Sequence, residues 1–266
     1  MSISDEDQAA IAALAHRLAD AARAEILPRF RQASLITDNK LAQGFDPVTE
    51  ADRAAERAMR ALIEAERPMD GILGEEYGAR EGSSGLTWVL DPIDGTRGFI
   101  SGTPTWGVLI ALSDEAGPRF GIIDQPYIGE RFEGGFGRAR TTGPLGERSL
   151  QTRRGARLGD ATLFTTFPEI GTPQDRSAFE RVSARAKLTR YGMDCYAYAL
   201  LAAGQIDLVI EAGLNPYDIQ APIAVIEAAG GVVTTWQGGP AHGGGQIIAA
   251  ATKALHDEAL DLLAPI

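Results

Sequence analysis

Trp88-Val89-Leu90-Asp91-Pro92-Ile93-Asp94-Gly95-Thr96-Arg97-Gly98-Phe99 is the stretch around which the chain is organised. Its opening apolar run, Trp88 to Leu90, reads as a short buried strand that stops at Pro92. Asp91 and Asp94 then stand three residues apart in a turn. Pro92 fixes one backbone angle there, and Gly95 can take the positive φ that a sharp reversal needs. Such a turn points both carboxylates at one place, with the amides of Gly95 and Thr96 facing the same space. Paired acidic oxygens suit a hard cation, and exposed amides suit a phosphate. Two like charges held together need something positive between them. The local reading is a magnesium-and-phosphate corner. The same pattern also fits an Asx-type turn with both carboxylates solvated.

Working outward, Gly71-Ile72-Leu73 reads as a brief strand followed by Glu75 and Glu76. Paired glutamates often mark a solvated surface. Strand ends are also where layered α/β folds display catalytic groups, so Glu75 and Asp91 are candidate neighbours. Upstream, Thr49 and Asp52 have capping spacing at the start of a helix over 50–66 that stops before Pro68. Asp52 either caps that helix or points from its first turn toward a metal. Downstream, Asp218 opens a helix from Pro216 that ends at Gly230-Gly231, where a carboxylate caps free amides unless a cation shares it.

The remaining pattern predicts a first helix from a Ser4 cap to Ile26, carrying Ile11, Leu14, Leu18 and Ala22 at helical spacing. A short extended stretch over 34–37 and a loop over 40–45 follow. Strands are expected over 105–112, with Trp106, Val108, Ile110 and Leu112 on one face, and over 120–123, 130–136 and 150–152. The glycine-rich segment 134–146 lies among them as a candidate boundary. This part reads as two helices on an antiparallel sheet. Beyond it, strands over 161–165, at 188, and over 206–210, 232–234 and 247–249 alternate with helices from Pro173, Asp194, Pro216 and Lys253, which suggests a second α/β layer. One domain over 1–266 is expected, with subdomains of about 1–146 and 147–266.

Composition fits a globular protein, with 44% hydrophobic and 23% charged residues. Twenty-five Lys and Arg against 36 Asp and Glu give a net charge of −11. That balance argues against affinity for nucleic acid or an anionic membrane. An anionic substrate would then need a cationic receiver, and bound metal is the obvious one. Cys195 is the single cysteine, which excludes an intrachain disulfide and reads as a buried thiol. His16, His242 and His256 lack metal-ligand spacing. The acidic N-terminus has no signal-peptide pattern and no apolar run approaches membrane-spanning length, so a cytoplasmic location is expected.

Taken in order, Gly74-Glu75-Glu76, Asp91-Pro92-Ile93-Asp94-Gly95-Thr96 and the Asp218 helix ending in Glu227-Ala228-Ala229-Gly230-Gly231 resemble the inositol monophosphatase family. Pro47-Val48-Thr49-Glu50-Ala51-Asp52 resembles that family's early motif. The resemblance covers nearly the whole chain. It implies the layered αβαβα inositol monophosphatase or sugar phosphatase fold, an antiparallel-sheet subdomain beside a smaller α/β one, with two or three Mg2+ ions and hydrolysis of a small-molecule phosphate monoester. It further implies metal ligation by Glu75, Asp91, the Ile93 carbonyl, Asp94 and Asp218, and a phosphate cradle at Gly95 and Thr96 with Arg97 beside it. Glu75 and Thr96 would orient the attacking water, and Asp52 would be the outer carboxylate. A homodimer is the family expectation.

Several details are more similar to the histidinol-phosphatase branch: Arg97-Gly98-Phe99-Ile100, Gly102-x-Pro104, Leu109 to Leu112, Gly192-Met193-Asp194-Cys195-Tyr196-Ala197-Tyr198 and Pro216-Tyr217-Asp218. Asp194 and Glu211 match substrate-facing positions, where two acids would suit the ammonium and imidazole of L-histidinol. Asp194 also fits a plain helix N-cap. The approach Lys40 to Asp46 departs from the family's serine-rich form. Inositol-1-phosphate and 3′-phosphoadenosine 5′-phosphate are the rival substrates, and an RNA-associated regulatory protein keeping the fold is the rival of another class.

Overall fold

The structure, a computed structural model, describes residues 3–32, 37–39 and 47–264. The expectations for 34–36 and for Lys40 to Asp46 lie outside the described residues. In chain order the elements are α1 (Asp5–Ile26), β1 (Thr37–Asn39), β2 (Pro47–Thr49), α2 (Glu50–Glu66), β3 (Gly71–Gly74), β4 (Gly78–Arg80), β5 (Thr87–Asp94) and α3 (Thr96–Ile100). A run of strands follows: β6 (Gly107–Asp114), β7 (Gly117–Gln125), β8 (Glu130–Gly135), β9 (Arg138–Gly143) and β10 (Gly146–Ser149). The last part holds β11 (Thr162–Thr165), α4 (Pro173–Ser183), β12 (Leu188–Tyr191), α5 (Asp194–Ala202), β13 (Leu208–Leu214), α6 (Pro216–Ala228), β14 (Val232–Thr235), β15 (Gly245–Ala250) and α7 (Lys253–Leu263).

Two sheets and three helix layers stack in the order αβαβα. Strands β10-β9-β8-β7-β6-β5-β3-β4 form an eight-stranded sheet, antiparallel except for the β3–β5 pair. Successive strand residues face opposite sides, so each strand feeds two cores. Trp88, Leu90, Trp106, Val108, Ile110 and Leu112 pack against α1 and α2, while Val89, Leu109, Ala111 and Ile123 face α5 and α6. Beyond those helices lies the mixed sheet β12-β11-β13-β15-β14, with α4 and α7 on its far side over Leu163, Leu208 and Ile248. The middle helices are therefore apolar nearly all round.

Three expectations need correction. The strand of the central stretch does not stop at Pro92 but runs to Asp94, with a register shift against β6 between Asp91 and Asp94. Proline is tolerated there because the ladder is already broken at the bulge and needs no amide from it. Residues 150–152 are not a strand: the Leu150 amide donates to Ala139 O and the Thr152 amide to Ala229 O, two different elements. The segment 134–146, the candidate boundary, supplies the end of β8, all of β9 and the turn into β10. Finally, the strand expected over 206–210 starts later and runs on to Leu214, so Glu211 is a strand residue.

Candidate active site

Parallel pairing of β3 with β5 sets Gly74 opposite Leu90, and the Glu75 amide donates to Leu90 O at 3.2 Å. Glu75 therefore leaves its strand beside Asp91. The bulge then turns the chain: the Ile93 amide donates to Asp91 Oδ1 at 3.0 Å, and Gly95 takes φ 85° before the short helix α3. Only glycine adopts that backbone at no cost. Thr96 Oγ1 lies 3.1 Å from Ile93 O and 3.4 Å from Asp52 Oδ1. Asp52 Oδ2 meanwhile accepts from the Thr49 amide and hydroxyl at 2.8 and 2.6 Å. The capping reading of Asp52 holds, since Oδ2 caps α2, and the other oxygen faces Thr96. Burial lifts its carboxyl to about 6.

Asp94 is anchored differently. Its Oδ2 accepts from the Cys195 amide at 2.6 Å, at the start of α5. Asp218 heads α6, where its Oδ2 accepts from the Asn215 amide at 2.6 Å. Oxygens of Asp91, Asp94 and Asp218 all lie within 4.8 Å of one another. Burial first, and then the neighbouring carboxylates, holds Asp91 and Asp94 well above the usual carboxylate range and raises Asp218 to about 7. Crowding three such groups is costly unless a cation balances them. The donors are hard oxygens, Ile93 lines the same cavity, and that set fits Mg2+.

A pH dependence follows for metal-free protein. A carboxyl raised in the fold favours folding fully below its unfolded value near 4, and that contribution is lost as pH rises through its folded value. For Asp218 the window ends near 7. The metal-free protein is expected to melt lower at pH 8 than at pH 5, and magnesium should raise the melting temperature more at pH 8, where fewer protons compete for the oxygens. A thermal-melt grid over pH and magnesium checks this; an equal magnesium shift at both pH values would refute it.

Glu75, Asp91, Ile93, Asp94, Gly95, Thr96, Arg97, Asp194, Glu211 and Asp218 line one cavity of about 310 Å³, and Asp52 stands behind Thr96. Glu211 is buried beside the end of β11, accepting from Thr165 Oγ1 at 3.2 Å and from the Thr166 amide and hydroxyl at 2.7 and 2.9 Å. Burial raises its carboxyl to about 7. Asp194 is not an N-cap. Met193 occupies that position, and Asp194 is the first residue of α5, with φ 46°. Its Oδ2 accepts from Thr105 Oγ1 at 3.1 Å. The Arg97 guanidinium lies 4.8 Å from the centre of the half-exposed Phe167 ring.

Thr105, Thr166, Phe167 and Tyr198 also belong to the site or its immediate support, and the sequence alone does not single them out. Thr166 and Phe167 directly follow strand β11, and that strand-end position was the available signal. Tyr198 lines the cavity with a buried hydroxyl that has no hydrogen-bond partner among the described residues. The three histidines stay out of the cavity, and burial pushes the Cys195 thiol well up. No helix among the described residues is long and apolar enough to cross a membrane.

Comparison with known proteins adds four findings. The model of the inositol monophosphatase family matches residues 7–265. A chloroplastic bifunctional phosphatase of Arabidopsis thaliana, IMPL2, is 45% identical over 89% of this chain and 67% of its own. A histidinol-phosphatase of Mycobacterium tuberculosis is 35% identical over 94% of this chain and 96% of its own. Among solved structures, an inositol monophosphatase from Zymomonas mobilis aligns with a TM-score of 0.83 at 42% identity, over 94% of this chain and 96% of that one.

Proposed function

We propose that this chain, which belongs to the inositol monophosphatase family, hydrolyses the phosphate monoester of a cationic amino alcohol, L-histidinol phosphate, using magnesium. Glu75, Asp91, the Ile93 carbonyl, Asp94 and Asp218 are the groups assigned to hold two or three ions. Magnesium bound there would offset the charge of the phosphate and lower the pKa of a water. The chain's own residues do the positioning. Glu75 and Thr96 orient the attacking water, and the Thr96 hydroxyl is already tethered beside Ile93 O and Asp52. The amides of Gly95 and Thr96 receive the phosphate at the turn where the chain reverses.

Specificity is the finer part of the reading. One observation carries it: Asp194 and Glu211 line the same cavity as the acidic corner, yet neither belongs to the three-carboxylate cluster. A neutral polyol can donate hydroxyl hydrogen bonds to such acids but gains nothing from their charge. An ammonium or imidazolium does gain from it, through charge-assisted hydrogen bonds. The Mycobacterium tuberculosis relative, named a histidinol-phosphatase, supports this choice. The Zymomonas mobilis neighbour supports inositol-1-phosphate as the second reading.

The test is phosphate release with magnesium from L-histidinol phosphate, inositol-1-phosphate and 3′-phosphoadenosine 5′-phosphate at equal concentration. Strong preference for the first is expected. Preference for either rival would remove the acidic-pocket argument and leave the metal corner. Silence on all three, with RNA retained in a pull-down, would favour the regulatory reading. A mutation sharpens the test. A charge-assisted hydrogen bond contributes about 1.5–3 kcal/mol, so Asp194→Asn is expected to raise KM for L-histidinol phosphate by about 10- to 100-fold. Inositol-1-phosphate kinetics should hardly move. Equal losses on both substrates would count against a substrate-facing Asp194.

A further inference from the structure

Asp194 does not stand freely in its cavity. Its φ of 46° lies in the left-handed region that few residues other than glycine adopt. Its carboxyl group is lodged between two glycines of the turn. A Cβ on Gly95 would sit 2.7 Å from both Cβ and Cγ of Asp194, and a Cβ on Gly98 would sit 3.1 Å from Asp194 Oδ2. The spacing Gly95-x-x-Gly98 therefore makes room for this one side chain. A hydrogen-bond relay then fixes its rotation. Thr103 Oγ1 lies 3.1 Å from Gly98 O and 3.2 Å from Thr105 Oγ1, with one proton to give to either, and Thr105 Oγ1 donates to Asp194 Oδ2 at 3.1 Å. A Cβ on Gly98 would also fall 2.9 Å from Thr105 Oγ1 and 3.0 Å from Thr103 Oγ1, so the same gap houses the relay.

A strained backbone, a tight lodging and a directed hydrogen bond acting on one carboxylate exceed what surface capping requires, since Met193 already holds the cap position. We propose that Thr105 is a positioning residue for substrate choice: by holding Oδ2 of Asp194 it fixes the carboxylate in the cavity and leaves Oδ1 to meet a cationic substituent on the alcohol portion of the ester. The inference rests on the cationic-substrate reading and adds a residue to it. Thr105 lies in the turn between α3 and β6, outside the metal corner and outside the cavity lining. Its hydroxyl reaches substrate only through Asp194.

Thr105→Val keeps the shape and removes the hydroxyl. With L-histidinol phosphate the expected result is a KM raised about 5- to 10-fold and a kcat within about twofold of wild type. With glycerol 2-phosphate, whose alcohol portion is uncharged, both constants should stay within about twofold. Thr105→Ser should restore the wild-type KM, a rescue that a purely packing role of the methyl would not give. Gly98→Ala, which crowds the relay from the other side, should shift KM in the same direction. Equal loss on both esters, no change on either, or failure of serine to rescue would overturn the inference. If Asp194→Asn weakens L-histidinol phosphate binding while Thr105→Val does not, Thr105 falls and the cationic reading stands. If wild-type enzyme shows no preference between the two esters, both fall together.

Discussion

Asp94→Asn is expected to abolish phosphate release, lowering kcat by at least about a thousandfold while the chain keeps its fold. The substitution preserves shape, and the new amide oxygen can still accept from the Cys195 backbone amide that Asp94 Oδ2 meets at 2.6 Å. The other position of the new amide is then an NH2 in place of an oxygen, in a group whose carboxylate lies within 4.8 Å of those of Asp91 and Asp218. A magnesium ion then meets an N–H dipole of the wrong sign. Lewis-acid stabilisation contributes several kcal/mol to the transition state, and losing about 4 kcal/mol slows a reaction about a thousandfold. Stability should move the other way. Asp94 is half-buried and crowded by Asp218 and Asp194, so removing its charge relieves the metal-free protein. The variant should melt at or above the wild type without magnesium and gain little when magnesium is added. Phosphate release and paired melts check both halves. Wild-type turnover in this variant would remove Asp94 from the metal site altogether.

The acidic corner is legible in the sequence because its signals are local. D-x-x-D-G fixes residue types and a turn within five positions, and Glu75 can be joined to Asp91 because both stand at strand ends, where layered α/β folds display catalytic groups. The parallel register of Gly74 with Leu90 brings those ends together. Legibility fails where function or packing depends on residues far apart in sequence. Thr105 meets Asp194 across 89 positions, and Thr166 meets Glu211 across 45. A lone threonine in a turn carries no mark of such a partner. Pro92 misleads for a related reason: a strand-breaking residue is acceptable where a bulge has already opened the ladder, and a bulge is set by the neighbouring strand. Asp194 fits a cap on sequence grounds because an acid before a helix usually is one. Its positive φ depends on the two glycines it packs against, which lie about 100 residues earlier.

The glycine-rich segment, a candidate boundary on sequence grounds, supports a second large effect. Gly134→Ala is expected to destabilise the protein by roughly 3 kcal/mol, the upper range for overpacking a tight core. A Cβ on Gly134 would sit 2.4 Å from Val225 Cα and 2.5 Å from Ala224 O, both backbone atoms of α6. Backbone cannot rotate aside as a side chain can, so strand β8 and helix α6 must separate. Gly121 on the adjacent strand is under the same pressure, its Cβ falling 2.6 Å from Ala221 O. Glycine there is a packing requirement. The consequence reaches the site because α6 carries Asp218 at its first turn. A helix pushed off the sheet draws that carboxylate away from Asp91 and Asp94, so the magnesium concentration for half-maximal activity should rise along with the loss of stability. At about 2–4 °C per kcal/mol for a chain of this size, the melting temperature should fall by roughly 6–12 °C. Gly159→Ala is the control: that glycine is exposed, with nothing within 4 Å of an added methyl and no positive φ, and its replacement should stay within about 0.5 kcal/mol. Equal melting of the two variants would show that α6 does not bear on the sheet through Gly134. A stability loss with unchanged magnesium response would separate the packing from the metal site.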